Sequence, residues 1–355
     1  MRYTSARQYR GGGIIMKKNY FALLVSCIFL GSCSPGEAAP AAGQISGGSS
    51  KALLFVNCKA VAEDEIEFEF SQAVTVKSLS FEPALSVASV EDGSTVRVKL
   101  EEVPGPGMLF IADILAEDSQ RNTINVLAPF RSRNNRMPEL VINELCTENA
   151  TVTAGKKEEF IELKMKSGGN LGAMRVIILG NSNASKKTIY EFVPVEVEEG
   201  DYVTLHLRTH DEASRNEFNG SKDESVGLNS SPLAWDFWIP GNTKLMQKAA
   251  TAVYVLDQDD KVLDAVMICE AADSGWGKDY FAEAAEFLFK QGAWKSPDGK
   301  IAGPADSVIS AGTTNTRTIC RNETGEDTNT AEDWYITATS SATPGKPNSE
   351  KRLSN

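Results

Sequence analysis

Residues 139–164 read ELVINELCTENATVTAGKKEEFIELK, and no other stretch constrains the fold as strongly. Two short apolar runs, residues 140–145 and 160–165, flank a polar segment carrying Asn149, Thr151, Gly155, Lys156 and Lys157. Apolar runs this short, bounded by turn-forming residues, favour strands over helices, so the pair predicts two adjacent strands. The pattern continues downstream, with strands expected near 140–146, 158–165, 174–179, 188–194, 201–208, 251–256 and 261–268. In the fifth of these, Val203, Leu205 and Leu207 point inward, while Tyr202, Thr204, His206 and Arg208 point outward. Asp257-Gln258-Asp259-Asp260 joins the last two as a hairpin.

Upstream, residues 51–132 carry a second set of alternating strands. Ile66, Phe68 and Phe70 alternate with Glu65, Glu67 and Glu69, and Asp92-Gly93 separates two further runs with hairpin turn chemistry. Gly105-Pro106-Gly107 and residues 118–122 mark turns before strands near 108–115 and 123–128. Strands at this spacing predict a sandwich. Residues 131–138 are polar, end in proline and form the expected hinge. A length of 355 residues fits about two domains.

Two inserts interrupt the downstream module. Residues 209–250 read as a long polar loop containing Trp235, Phe237 and Trp238, aromatics that would contact a ligand if exposed and cap the sandwich if buried. Residues 270–315 contain a helical pattern in Phe281, Ala285 and Leu288, with Asp279 in its first turn and Gly292 at its end. Loops this long are often functional, so the inserts are the expected binding region.

Catalytic motifs do not emerge. His206 and His210 are the only histidines, placed on an outer strand face and in a loop, and they lack the further ligands zinc needs. Neither lies in a nucleophile signature, and no P-loop or dinucleotide fingerprint occurs. No cofactor is expected. Asp257, Asp259 and Asp260 offer oxygen ligands for calcium but without the glycine and distal glutamate of an EF-hand loop, so a plain turn is the preferred reading. The formal charge of −12 argues against nucleic acid as a partner.

At the N-terminus, Met16-Lys17-Lys18 precedes an apolar segment, residues 20–30, too short to span a bilayer. It ends in Leu30-Gly31-Ser32-Cys33. Such a segment reads as a secretory leader, residues 1–32, with Met16 the expected true start. Its ending resembles a bacterial lipobox, which implies lipid attachment at Cys33. Ser34 in place of aspartate implies, by the habit of that class, sorting to an outer membrane. Losing the leader removes five cations and no acid, taking the charge from −12 to −17. Residues 33–50 are rich in Pro, Gly and Ser and read as a flexible tether. Export makes Cys58, Cys146, Cys269 and Cys320 disulfide candidates with three pairings open. Cys269 with Cys320 is preferred, since both end expected strands of one module and bracket an insert. A loop of about 50 residues closed this way would contribute about 4 kcal/mol.

The phrases Ile142-Asn-Glu-Leu145 and Glu159-Phe-Ile-Glu-Leu163, then Thr316-Arg-Thr-Ile-Cys-Arg321, Asp333-Trp334 and Thr343-Pro-Gly-Lys-Pro-Asn348, resemble a lamin-tail-type domain over most of residues 139–348. Residues 70–74 and 118–122 are similar to bacterial immunoglobulin-like modules of surface proteins. These resemblances imply an all-β fold of two tandem immunoglobulin-like β-sandwiches, the second with a helical insertion. They imply an exported cell-envelope protein, membrane-bound through its lipid anchor, acting as a non-catalytic binding or adhesion module with a protein or glycan partner. The alternatives are an envelope-organising structural lipoprotein and a calcium- or carbohydrate-binding accessory module.

Overall fold

The computed structural model describes residues 52–180, 187–209, 214–218, 220–273 and 275–354; the leader, Cys33 and His210 lie outside the described residues. Residues 51–355 form one compact unit.

The upstream strands are β1 (Phe55–Ala62), β2 (Glu65–Glu82), β3 (Val87–Glu91), β4 (Gly93–Leu100), β5 (Leu109–Asp118) and β6 (Thr123–Arg131). They make one sheet in the order β3-β4-β2-β5-β6, with β1 also on β2. Sequence suggested only short strands here, yet β2 runs for 18 residues. Its first half pairs with β1 and β4, with Phe68 opposite Val96, and its second half pairs with β5, with Leu79 opposite Ile114. Register shifts between Glu69 and Val74 and between Val76 and Ser78 bend it from one layer into the other. Ile66, Phe68, Val96 and Val98 thereby bury against Phe81, Phe110, Ile114 and Phe130. The bend is tied at Gln72, whose Nε2 donates to Asp118 Oδ2 at 2.6 Å. Asp118 also accepts from the backbone N–H groups of Gln120 and Asn122 and from the Asn122 side chain, which hold its carboxyl below the usual range. One hydrogen bond thus joins the two phrases, residues 70–74 and 118–122.

The downstream strands are β7 (Leu140–Cys146), β8 (Ala150–Val152), β9 (Gly155–Lys157), β10 (Phe160–Met165), β11 (Gly169–Asn170), β12 (Arg175–Gly180), β13 (Lys187–Glu191), β14 (Glu196–Val197), β15 (Tyr202–His206), β16 (Ala234–Trp238), β17 (Ala250–Leu256), β18 (Val262–Cys269), β19 (Val308–Ile309), β20 (Ile319–Arg321) and β21 (Trp334–Ile336). A six-stranded sheet, β16-β15-β10-β7-β20-β21, and a five-stranded sheet, β13-β12-β17-β18-β19, form a β-sandwich. Ile142, Ile161, Leu163, Val203 and Leu205 from the first share a core with Ile177, Val253, Val255 and Val266 from the second. The helix α1 (Asp279–Lys290) packs on β17 and β18 through Phe281, Ala284, Ala285 and Leu288. Every residue of β17 is buried, which is why it reads as an unbroken apolar run. Among the described residues no helix is long and apolar enough to cross a membrane.

Three expectations are corrected. Residues 131–138 are not a loose hinge: Arg131 pairs with Glu191, Arg133 with Asp259 and Arg136 with Glu196, while Asn134 Nδ2 donates to the carbonyls of Asn170 and Gly172 at 2.8 Å each. Residues 209–250 are not wholly loop, because Ala234–Trp238 joins the six-stranded sheet, parallel to β15. No disulfide joins Cys269 to Cys320: Cys58, Cys146, Cys269 and Cys320 are all free thiols, and Cys269 and Cys320 lie on strands of different sheets, β18 and β20. The Cys269 thiol instead meets the carbonyls of Ala249 and Ala271.

Candidate functional site

The site is built outward from β7 and β10. Register steps from Glu162 opposite Glu144 to Leu163 opposite Ile142, leaving Asn143 as an extra, bulged residue. Ile142 and Leu145 can therefore both enter the core while Glu144 and Glu162 lie directly opposite each other, both fully buried. Residues 343–348 satisfy them. Thr343 N and Oγ1 donate to Glu144, Gly345 N to Glu162 Oε2, and Asn348 Nδ2 to the Asn143 and Arg321 carbonyls at 3.0 and 2.9 Å. Pro344 and Pro347 have no N–H, so the segment presents its amides where the carboxylates are. Burial raises the pKa of both acids, and the facing Glu144 charge raises that of Glu162 further. Gly345 sits at φ +73°, and a Cβ there would lie 2.4 Å from Ser231 Oγ, so this crossing requires glycine.

A second buried network lies on the other side of β10. His206 Nε2 is 2.7 Å from Asp236 Oδ1, its Nδ1 is 3.1 Å from Glu158 Oε1, and Trp238 stacks on the ring at 3.9 Å. Burial alone would lower the imidazole pKa; Asp236 and Glu158 outweigh it and push the group up to about 9. With both nitrogens facing carboxylates, the charged imidazolium is the favoured form of His206, which ties β15 to Asp236 and Glu158. The outward-facing side of β15 is thus not solvated, because the insert covers it. Glu217 Oε2 accepts from Asp236 N, Ser231 N donates to Asp236 Oδ2, Trp238 Nε1 to Ser225 Oγ and Asn229 Nδ2 to the Glu158 carbonyl, all within 3.0 Å. Arg208 and Glu159 form a bidentate pair beside it, two bonds of 2.6 Å.

These two networks fix the insert between two grooves that meet at Leu228. The larger, about 610 Å³, runs along Lys157, Leu228, Ser230, Leu233, Pro344 and Lys346. The smaller, about 390 Å³, is lined by Lys156, Glu158, Val226, Gly227, Leu228 and Trp238. Val226, Leu228 and Leu233 are 66%, 39% and 54% exposed. Lys156, Lys157 and Lys346 have no ion-pair partner among the described residues. Gly227 lets the loop close here, since a Cβ would lie 2.9 Å from both Trp238 and Ser230 Oγ.

The sequence-predicted site residues fall elsewhere. Trp235, Phe237 and Trp238 are 7%, 0% and 3% exposed: in a parallel strand of a covered sheet, Phe237 enters the core against Phe192, and Trp238 packs on His206. They form no exposed stacking platform. Asp257, Asp259 and Asp260 do not converge on a calcium site. Asp257 Oδ1 caps its own turn through the N–H groups of Asp259 and Lys261, Asp259 pairs with Arg133, and Asp260 with Arg175. Among the described residues no group of three or more His, Cys, Asp or Glu could hold a metal ion. Sequence reading pointed to the insert 209–250 but singled out its aromatics, and not Leu228 and Leu233, which stand exposed at the grooves.

Fold and site together define an all-β, multi-sheet protein whose sandwich carries an insert-built groove face. The chain belongs to the family described as TP_1001_2nd: protein second domain, whose model matches residues 138–336, more than half its length. It is 26% identical over 222 residues to an uncharacterized protein of Treponema pallidum (strain Nichols), covering 59% of this chain and 53% of that one. The chain thus spans about half the length of this curated relative. Among solved structures it is similar to a DUF4876 family protein from Bacteroides thetaiotaomicron VPI-5482, at 12% identity and TM-score 0.30 over 82% of this chain and 93% of that one. It is also similar to the N-terminal part of the bacterial S-layer protein SbsC, at 13% identity and TM-score 0.23 over 43% and 42%. Likeness at these scores carries no argument about function.

Proposed function

We propose that this chain is an exported, lipid-anchored envelope protein whose downstream sandwich, of lamin-tail type, is a non-catalytic binding module working through the groove face. The single observation carrying the reading is the pair of grooves at Leu228, apolar at the centre and rimmed by Lys156, Lys157 and Lys346. Exposed apolar side chains ringed by polar ones mark interaction sites, and walls pinned by buried networks bind at low ordering cost. The leader ending at Cys33 and the tether after it support the envelope placement. The engaged nitrogens of His206 support a non-catalytic role.

The test uses an unanchored Cys33→Ala chain added to isolated envelopes. Co-sedimentation should be lost in a Leu228→Asp, Leu233→Asp variant that melts like the parent; equal co-sedimentation of both would refute the groove face as the site. A structural, envelope-organising role is the second reading, favoured by Leu109, Ile111 and Leu127, which stand exposed on the outer face of β5 and β6. Concentration-dependent self-association abolished by Ile111→Asp would support it; a monomer at all concentrations would end it.

A further inference from the structure

Resting on that reading, we infer that the larger groove takes an acidic glycan, a hydroxyl-rich chain bearing carboxylate or sulfate groups. Three features of the groove match three features of such a chain. Lys157 and Lys346 line it without ion-pair partners among the described residues, although the protein is acidic overall. Positive points set along a groove of a net-acidic protein select a ligand that carries its negative charges at intervals.

Hydroxyl groups with hydrogen-bonding capacity left over also line the groove. Ser230 Oγ is buried and Ser340 is exposed, and neither has a partner among the described residues. By contrast, Thr343 Oγ1 is already engaged by Glu144, and Thr316 Oγ1 by Thr314. A buried polar atom without a partner calls for a ligand or water to satisfy it. Leu228, Leu233 and Pro344 supply the apolar surface on which the C–H faces of sugar rings rest.

A polypeptide partner is the less favoured occupant. Protein interfaces draw their affinity from aromatic or aliphatic anchors seated in desolvated pockets, whereas Leu228 and Leu233 stand exposed along this groove. The groove is open, and its wall is closely packed where Gly345 passes Ser231. Such a surface suits a chain lying along it.

The experiment measures binding of the unanchored Cys33→Ala chain, by titration calorimetry, to polygalacturonate, heparin, neutral dextran and poly-glutamate. The inference expects one or both acidic glycans to bind, dextran and poly-glutamate to fail, and affinity to fall steeply between about 0.05 and about 0.3 M NaCl. Binding to polygalacturonate alone identifies carboxylate, and binding to heparin alone identifies sulfate. Lys157→Gln with Lys346→Gln should weaken binding on the order of tenfold or more, while Lys346→Arg should retain it. Poly-glutamate binding as well as the glycans would overturn the glycan assignment in favour of an acidic protein, leaving the binding-module reading intact. No binding to any probe, with envelope co-sedimentation preserved, would overturn this inference alone; loss of both would overturn both.

Discussion

Replacing His206 with glutamine should remove a pH-dependent clamp from the downstream sandwich. In the folded protein the imidazole titrates near 9, against an ordinary value of 6.5. Each pKa unit is about 1.4 kcal/mol of preference for the charged form, so the clamp contributes about 3 kcal/mol. Because the folded value is raised, this contribution is fully present below about pH 6.5 and disappears as pH rises through about 9. Losing the cation also takes the counter-charge from Glu158 and Asp236, and breaking a buried pair of this kind costs about 3–5 kcal/mol. The assay is urea unfolding of the Cys33→Ala chain and its His206→Gln variant at matched pH values from 6 to 9.5. At pH 6 the variant should be less stable by about 3–5 kcal/mol, and the gap should narrow by about 3 kcal/mol by pH 9.5. Cys58 and Cys146, whose thiols burial pushes up to about 12, also change stability in alkali, but equally in both proteins, so the difference isolates His206. A gap that stays constant or widens with pH would show that His206 is not held as an imidazolium.

Other outcomes follow from the same geometry. Gly345→Ala must accommodate a Cβ against Ser231 at a left-handed backbone angle, and should lower stability by about 2–4 kcal/mol in urea titrations. Arg133→Ala removes a partly exposed pair with Asp259 and should cost about 1 kcal/mol or less by the same method. Millimolar calcium should leave the melting temperature unchanged, since the carboxylates of Asp259 and Asp260 are held by Arg133 and Arg175. Mass analysis after alkylation of the denatured, unreduced protein should find Cys58, Cys146, Cys269 and Cys320 all modified; protection of any pair would contradict the structure.

What was legible in the sequence follows the range of the forces involved. Short apolar runs bounded by turn residues located β7, β10, β12, β17 and β18 within a few residues, and alternation located β15, because burial of each strand is written locally. The helix over Asp279–Lys290 was legible for the same reason. The Thr343-Pro-Gly-Lys-Pro-Asn348 phrase was visible as a motif, but its purpose, supplying amides to Glu144 and Glu162 some two hundred residues earlier, was not. His206 was assigned correctly to the outward side of its strand and wrongly to solvent, since the covering insert reaches it through long-range contacts from Asp236 and Trp238. Trp235, Phe237 and Trp238 were misplaced by the same omission: their strand pairs in parallel with β15 across a 27-residue excursion between His206 and Ala234, which no local pattern reveals. The grooves are invisible in sequence because their walls come from residues 154–158, 226–233 and 340–346, brought together only by the fold.

The most direct test is the hydrogen-exchange footprint of the unanchored chain on isolated envelopes. The groove-face account predicts slowed amide exchange concentrated in residues 154–158, 226–233 and 340–346, and absent in the Leu228→Asp, Leu233→Asp variant. Protection centred on the outer face of β5 and β6 instead, or no protection despite co-sedimentation, would contradict it.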